Sequence, residues 1–74
     1  MKITVKLFAT FREGRFKEEV RDYPAGTDCR RVLLDVGFGE EELGILLVNG
    51  RHDTLERELA EGDTVSFFPL VGGG

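Results

Sequence analysis

The opening residues alternate strictly. Ile3, Val5 and Leu7 are apolar and are separated by Lys2, Thr4 and Lys6, the period of a strand with one buried face. A polar stretch, Arg12 to Arg15, follows and predicts a turn in which Gly14 accepts a positive φ. Phe16 to Tyr23 then reads as a second strand with weak alternation. Its Lys, Glu and Arg residues suit a sheet edge, where charge discourages foreign strand pairing. Pro24 ends that strand.

Beyond it the period changes. Cys29, Val32, Leu33 and Val36 fall at i, i+3, i+4 and i+7, one face of a helix of about 10 residues. Arg30, Arg31 and Asp35 take the other face. Thr27 is the expected N-cap, Asp28 suits the first turn, and Gly37 stands where a left-handed C-cap belongs. Gly39 to Leu43 reads as a helical turn or a solvated loop. Ile45 to Val48 is a continuous apolar run, the pattern of a strand covered on both faces or central in its sheet. Asn49-Gly50 predicts a hairpin into a short strand near Arg51 to Asp53. Leu55 and Leu59 are positioned to lid the core, Glu61-Gly62-Asp63 turns again, and Thr64 to Pro69 is the last strand.

Two hairpins flanking one helix predict an α+β architecture: a mixed sheet of four to five strands with one main helix packed across one face. That is the β-grasp arrangement of ubiquitin, in which the first and last strands lie parallel at the centre. Residues 1–69 then form one domain, and residues 70–74 a flexible C-terminal tail.

Composition narrows the function. Seventy-four residues make a single small domain, burying only about 60% of its unfolded surface. Ten Lys and Arg against fourteen Asp and Glu give a net charge of −4, the wrong sign for a nucleic-acid footprint. No apolar run approaches the roughly 20 residues of a membrane span, and the alternating N-terminus lacks the apolar core of a signal peptide. A single cysteine permits no internal disulfide and fits a reducing cytoplasm.

Two stretches carry a family resemblance. Leu7 to Glu13, "LFATFRE", is similar to the opening motif of the ubiquitin-like sulfur carriers of the MoaD/ThiS type. Glu61 to Gly74, "EGDTVSFFPLVGGG", resembles their closing motif: an acidic-Gly-Asp turn, a last strand with proline, and a terminal Gly-Gly. The match is strongest to the small subunit of molybdopterin synthase, although Pro69-Leu70 stands where many such subunits have Pro-Pro.

The resemblance implies a non-enzymatic protein cosubstrate. Its covalent site is the α-carboxylate of Gly74, which an E1-like adenylating partner converts with ATP to an acyl-adenylate. Persulfide sulfur then displaces AMP and leaves a thiocarboxylate, for use by the molybdopterin synthase large subunit or another sulfur acceptor. The chain itself is expected to bind no cofactor and no metal, and no membrane. Gly72, Gly73 and Gly74 would thread the partner's channel, their missing Cβ atoms allowing the backbone close to its walls. Five extended residues from Pro69 to Gly74 reach about 17 Å. Related carriers serve thiamine, cysteine/methionine or tungsten-cofactor pathways. A ubiquitin-like modifier conjugated through Gly74, or an interaction domain with an inert tail, are the readings from other classes.

Docking residues are sought beside the tail. In the last strand Val65 and Phe67 share one face, and Ser66 and Phe68 the other. Phe68 is then either an exposed anchor for a partner or one half of a pair with Phe8. Pro69 restricts the tail's root and is expected to stop the strand ladder there. Leu70 and Val71 lie beyond the sheet and suit an interface. Arg12 occupies the motif's arginine position, as a docking residue or as a turn residue paired with Glu13 or Asp63. Cys29 reads as a buried structural thiol, His52 as a surface residue, and Glu40 to Glu42 as a solvated run. The glycine triplet is no phosphate loop, since no Lys-Ser/Thr and no helix follow it.

Overall fold

The computed structural model describes residues 1–70. Five strands form one sheet: β1 (Lys2–Leu7), β2 (Glu18–Asp22), β3 (Leu43–Val48), β4 (Arg51–His52) and β5 (Thr64–Pro69), ordered β2-β1-β5-β3-β4. β1 and β5 are parallel, in register from Thr4 opposite Thr64 to Leu7 opposite Phe67, and the other three pairings are antiparallel. The helix α1 (Cys29–Val36) is the long connection between the two hairpins. Short 3-10 turns occupy Ala9–Arg12 and Glu40–Glu42.

The core follows the alternation. Ile3, Val5 and Leu7 of β1, Val65 and Phe67 of β5, and Cys29, Val32 and Leu33 of α1 are all wholly excluded from solvent. Val36 is partly buried against this cluster, and Leu59 and Leu55 close it from the side. Fully burying such side chains contributes about 1.5–3 kcal/mol each, so the two parallel strands and one short helix supply most of the hydrophobic stabilisation.

Three local expectations are corrected. The N-cap of α1 is Asp28, whose carboxylate accepts from the Arg31 amide at 2.9 Å. Thr27 instead donates its hydroxyl to the Pro24 carbonyl at 2.8 Å, closing the turn before the helix. The second strand is shorter than Phe16 to Tyr23: it spans Glu18 to Asp22, with Phe16 packed on the core before it and the buried Tyr23 tied to Met1 after it. The apolar run at Ile45 to Val48 is not covered on both faces. Leu46 and Val48 are buried, but Ile45 is 41% exposed, and β3 has only the two-residue β4 outside it. Gly37 does take the left-handed C-cap, with φ 110°, and its amide closes on Leu33 and Leu34.

Candidate functional site: the tail root and the open face of the sheet

Val71, Gly72, Gly73 and Gly74 lie outside the described residues. The root of the tail is described, and it is anchored. Pro69 pairs with Leu43, and the Leu70 amide donates to the Glu42 carbonyl at 2.9 Å. Pairing therefore runs one residue beyond the proline, against the expectation that Pro69 ends it. Proline removes only its own N–H, and the next residue supplies a donor. The Glu42 carbonyl is held in turn by its 3-10 turn, where the Glu42 carboxylate accepts from the Gly39 amide at 2.8 Å. Glu40 pairs with Arg30 at 2.8 Å, so two of the three acidic residues read as solvated brace this turn.

Gly44 sits where the β3–β5 register slips, between Leu43 and Ile45. A Cβ there would lie 2.6 Å from the Pro69 carbonyl oxygen, 2.9 Å from its carbon and 3.0 Å from Leu70 Cα. The chain leaves the sheet by crossing directly over this glycine.

Beside the root, Phe8 and Phe68 stack face to face with centroids 4.1 Å apart and planes 9° from parallel. Both rings are half-buried, on the sheet face opposite the helix. Phe68 is thus both things the pattern allowed: it covers Phe8, and it remains accessible. Ile45, its partner across the β3–β5 ladder, and Leu70, 64% exposed, extend the apolar surface toward the tail.

Arg12 pairs with neither Glu13 nor Asp63. Its Nε donates to the Leu7 carbonyl at 2.6 Å, and its guanidinium lies 5.1 Å from the Phe8 centroid. Asp63 is engaged elsewhere, accepting from Asn49 Nδ2 at 2.9 Å and from the Ala60 amide at 2.8 Å. These bonds, the Asn49 one foremost, hold its carboxyl below the usual range.

On the helix side of the root is a second stack that the sequence pattern did not reveal. Phe11 lies 3.8 Å from Phe38, and the Arg15 guanidinium covers Phe38 at 4.2 Å. An open groove of about 420 Å³ runs between this stack and the tail root, lined by Thr10, Phe11, Arg15, Phe38, Glu42, Pro69 and Leu70.

The remaining reactive groups are placed away from chemistry. Cys29 is wholly enclosed, and burial pushes its thiol up to about 12, so it offers no thiolate at neutral pH. His52 is exposed on β4. Burial, with a hydrogen bond from its hydroxyl to Asp35 at 2.8 Å, pushes the Tyr23 phenol up to about 12 and makes it a core strut. Among the described residues, no group of three or more His, Cys, Asp or Glu residues could hold a metal, and no helix is long and apolar enough to cross a membrane.

A mixed sheet with parallel first and last strands, one helix between hairpins, and the chain's end leaving from a central strand defines a ubiquitin-like β-grasp protein. The model of the ThiS family matches residues 5–74. The chain belongs to that family, the ubiquitin-like sulfur carriers of the MoaD/ThiS type. A putative molybdopterin converting factor, subunit 1, from Pyrococcus furiosus is 33% identical with a TM-score of 0.79, over 96% of this chain and 99% of that one. Subunit 1 in a complex of subunits 1 and 2 of molybdopterin-converting factor from Helicobacter pylori is similar at 25% identity and a TM-score of 0.63, over 100% of both chains. The small archaeal modifier protein 1 of Haloferax volcanii shares the fold, with 23% identity and a TM-score of 0.77 over 95% of this chain and 98% of that one.

Proposed function

We propose that this protein carries sulfur as a thiocarboxylate on Gly74 and delivers it in the cytoplasm to a molybdopterin synthase large subunit. The observation that carries the reading is the apolar open face formed by Phe8, Phe68 and Ile45 immediately beside the anchored tail root. Support also comes from the family match, which runs to Gly74, and from the likeness to a converting-factor subunit 1 over nearly the whole of both chains.

The division of labour is simple. Residues 1–69 are the docking body and residues 70–74 the tail, with Leu70 tied down as its first residue. A carboxylate is a poor electrophile, because its charge is delocalised and oxide is its leaving group. An E1-like partner overcomes this by letting the Gly74 carboxylate oxygen attack the α-phosphorus of ATP, with pyrophosphate leaving. Persulfide sulfur then attacks the acyl carbon and AMP leaves, and cleavage of the resulting S–S bond by a thiol frees the thiocarboxylate. Each partner site must exclude water to protect the acyl-adenylate. Gly72 and Gly73 let the backbone pass close to channel walls. Phe68, Pro69, Leu70 and Val71 make the docking contact around the channel mouth, and Arg12 holds Phe8 beneath Phe68. ATP is the partner's substrate, and the chain's own residues contribute positioning and no catalysis.

Intact mass spectrometry of the protein recovered from its native cells tests the reading. A gain equal to one sulfur-for-oxygen exchange is expected, and deletion of Gly73 and Gly74 should abolish it together with pathway function. Isopeptide conjugates in place of the exchange would favour a protein modifier. Full pathway function in the deletion would show an inert tail and end the carrier reading.

A further inference from the structure

We infer that Gly44 is a positioning residue for the tail: the absence of its side chain sets the angle at which the chain leaves the sheet. This rests on the carrier reading and adds to it the place where the tail's direction is fixed. The geometry is specific. Gly44 has no positive φ, so its backbone alone would accept alanine without strain. What excludes a side chain is the crossing strand. A Cβ would approach the Pro69 carbonyl oxygen to 2.6 Å, its carbon to 2.9 Å and Leu70 Cα to 3.0 Å, all backbone atoms. Backbone cannot rotate aside as a flexible side chain can, so the tail root must lift by about 1 Å to restore van der Waals contact.

Such a lift has somewhere to go. Leu70 is 64% exposed, and Gly44 is itself on the surface, so no core side chain needs to move. The bond that gives way is Leu70 N–H to the Glu42 carbonyl, the last tie before the tail. With that tie intact, four residues remain beyond Leu70 and span about 14 Å at full extension. The tie fixes the point from which those residues start, so a displaced root changes the reach left for the partner's site. A misplacement of about 1 Å at a reacting centre costs up to about 100-fold in rate.

The test compares Gly44→Ala with wild type in two measurements: adenylation of the full chain by the cognate activating enzyme with ATP, and amide exchange at Leu70. Expected for Gly44→Ala are a Leu70 amide that loses its protection, core amides of Val5 and Val65 that keep theirs, and a kcat for adenylation lowered about tenfold or more. The KM for the protein should change less than kcat, because Phe8 and Phe68 keep their places and only the root at Pro69 and Leu70 shifts. Unchanged kcat with wild type loading normally would overturn the inference and leave the carrier reading standing. Loss of core protection would also overturn it, by placing Gly44 in the stability of the domain. Wild type that is never adenylated would instead bring down the carrier reading, and the inference with it.

Discussion

Phe8, just past the end of β1, and Phe68, near the end of β5, stack with centroids 4.1 Å apart and planes 9° from parallel, on the face of the sheet that the helix leaves open. The parallel β1–β5 pairing delivers both rings to the point where the tail departs. Neighbouring residues of β5 therefore have different energetic roles. Phe67→Ala removes a wholly buried ring and should destabilise the domain by about 3–5 kcal/mol, enough to unfold much of it. Phe68→Ala should melt within a few degrees of wild type, yet lose about 2 kcal/mol of affinity for the acceptor subunit in a calorimetric titration. Equal affinity for the two folded proteins would remove Phe68 from the interface.

Arg12 acts on the same surface from below. Its hydrogen bond to the Leu7 carbonyl and its position over Phe8 predict that Arg12→Ala lowers stability by about 1–2 kcal/mol in thermal melts. Lysine should not restore it, since a point charge cannot supply both the Nε donor and the planar stack. A lysine variant as stable as wild type would show that the charge alone is what matters.

Cys29 gives a practical readout of the proposed chemistry. It is the sole cysteine, fully enclosed, with its thiol pushed to about 12 by burial first and nearby carboxylates second. At neutral pH the native protein should resist iodoacetamide and should react fully in denaturant. Any alkylation of the folded, sulfur-loaded protein then reports the tail. Rapid labelling of the native unloaded chain would contradict the burial.

Asp63 predicts an acid sensitivity. Its carboxyl is held below its ordinary 3.8 by Asn49, then by the Ala60 amide. A group whose folded value is depressed adds stability that is fully present above the unfolded value and fades as pH falls through the folded one. Melting temperature should therefore drop between pH 4 and lower values, and Asp63→Asn should flatten that part of the profile. An unchanged slope in the variant would assign the acid limb to other carboxylates.

Much of this was legible in the chain. The alternation of Ile3, Val5 and Leu7 and the helical spacing of Cys29, Val32 and Leu33 name the core because burial on one face imposes a period. Ile45 misleads because an exposed apolar residue looks the same in sequence as a buried one. Thr27 and Asp28 are both good caps, and only the turn geometry at Pro24 decides between them. Tyr23 to Asp35 and Phe11 to Phe38 are long-range pairs with no local signature. Gly44 is the clearest case. Its meaning comes from Pro69 and Leu70 crossing over it, and nothing in the residues around it records that crossing.

The placement of β5 has a mechanical consequence. It is hydrogen-bonded along both edges, to β1 on one side and β3 on the other, and it carries the enclosed ring of Phe67. Traction on the end of the chain loads both ladders in shear at once, so that many bonds resist together and none can be peeled singly. Any partner that drew on the chain beyond Leu70 would thus pull against a firm stop, and the sheet would be left intact when the pull ended.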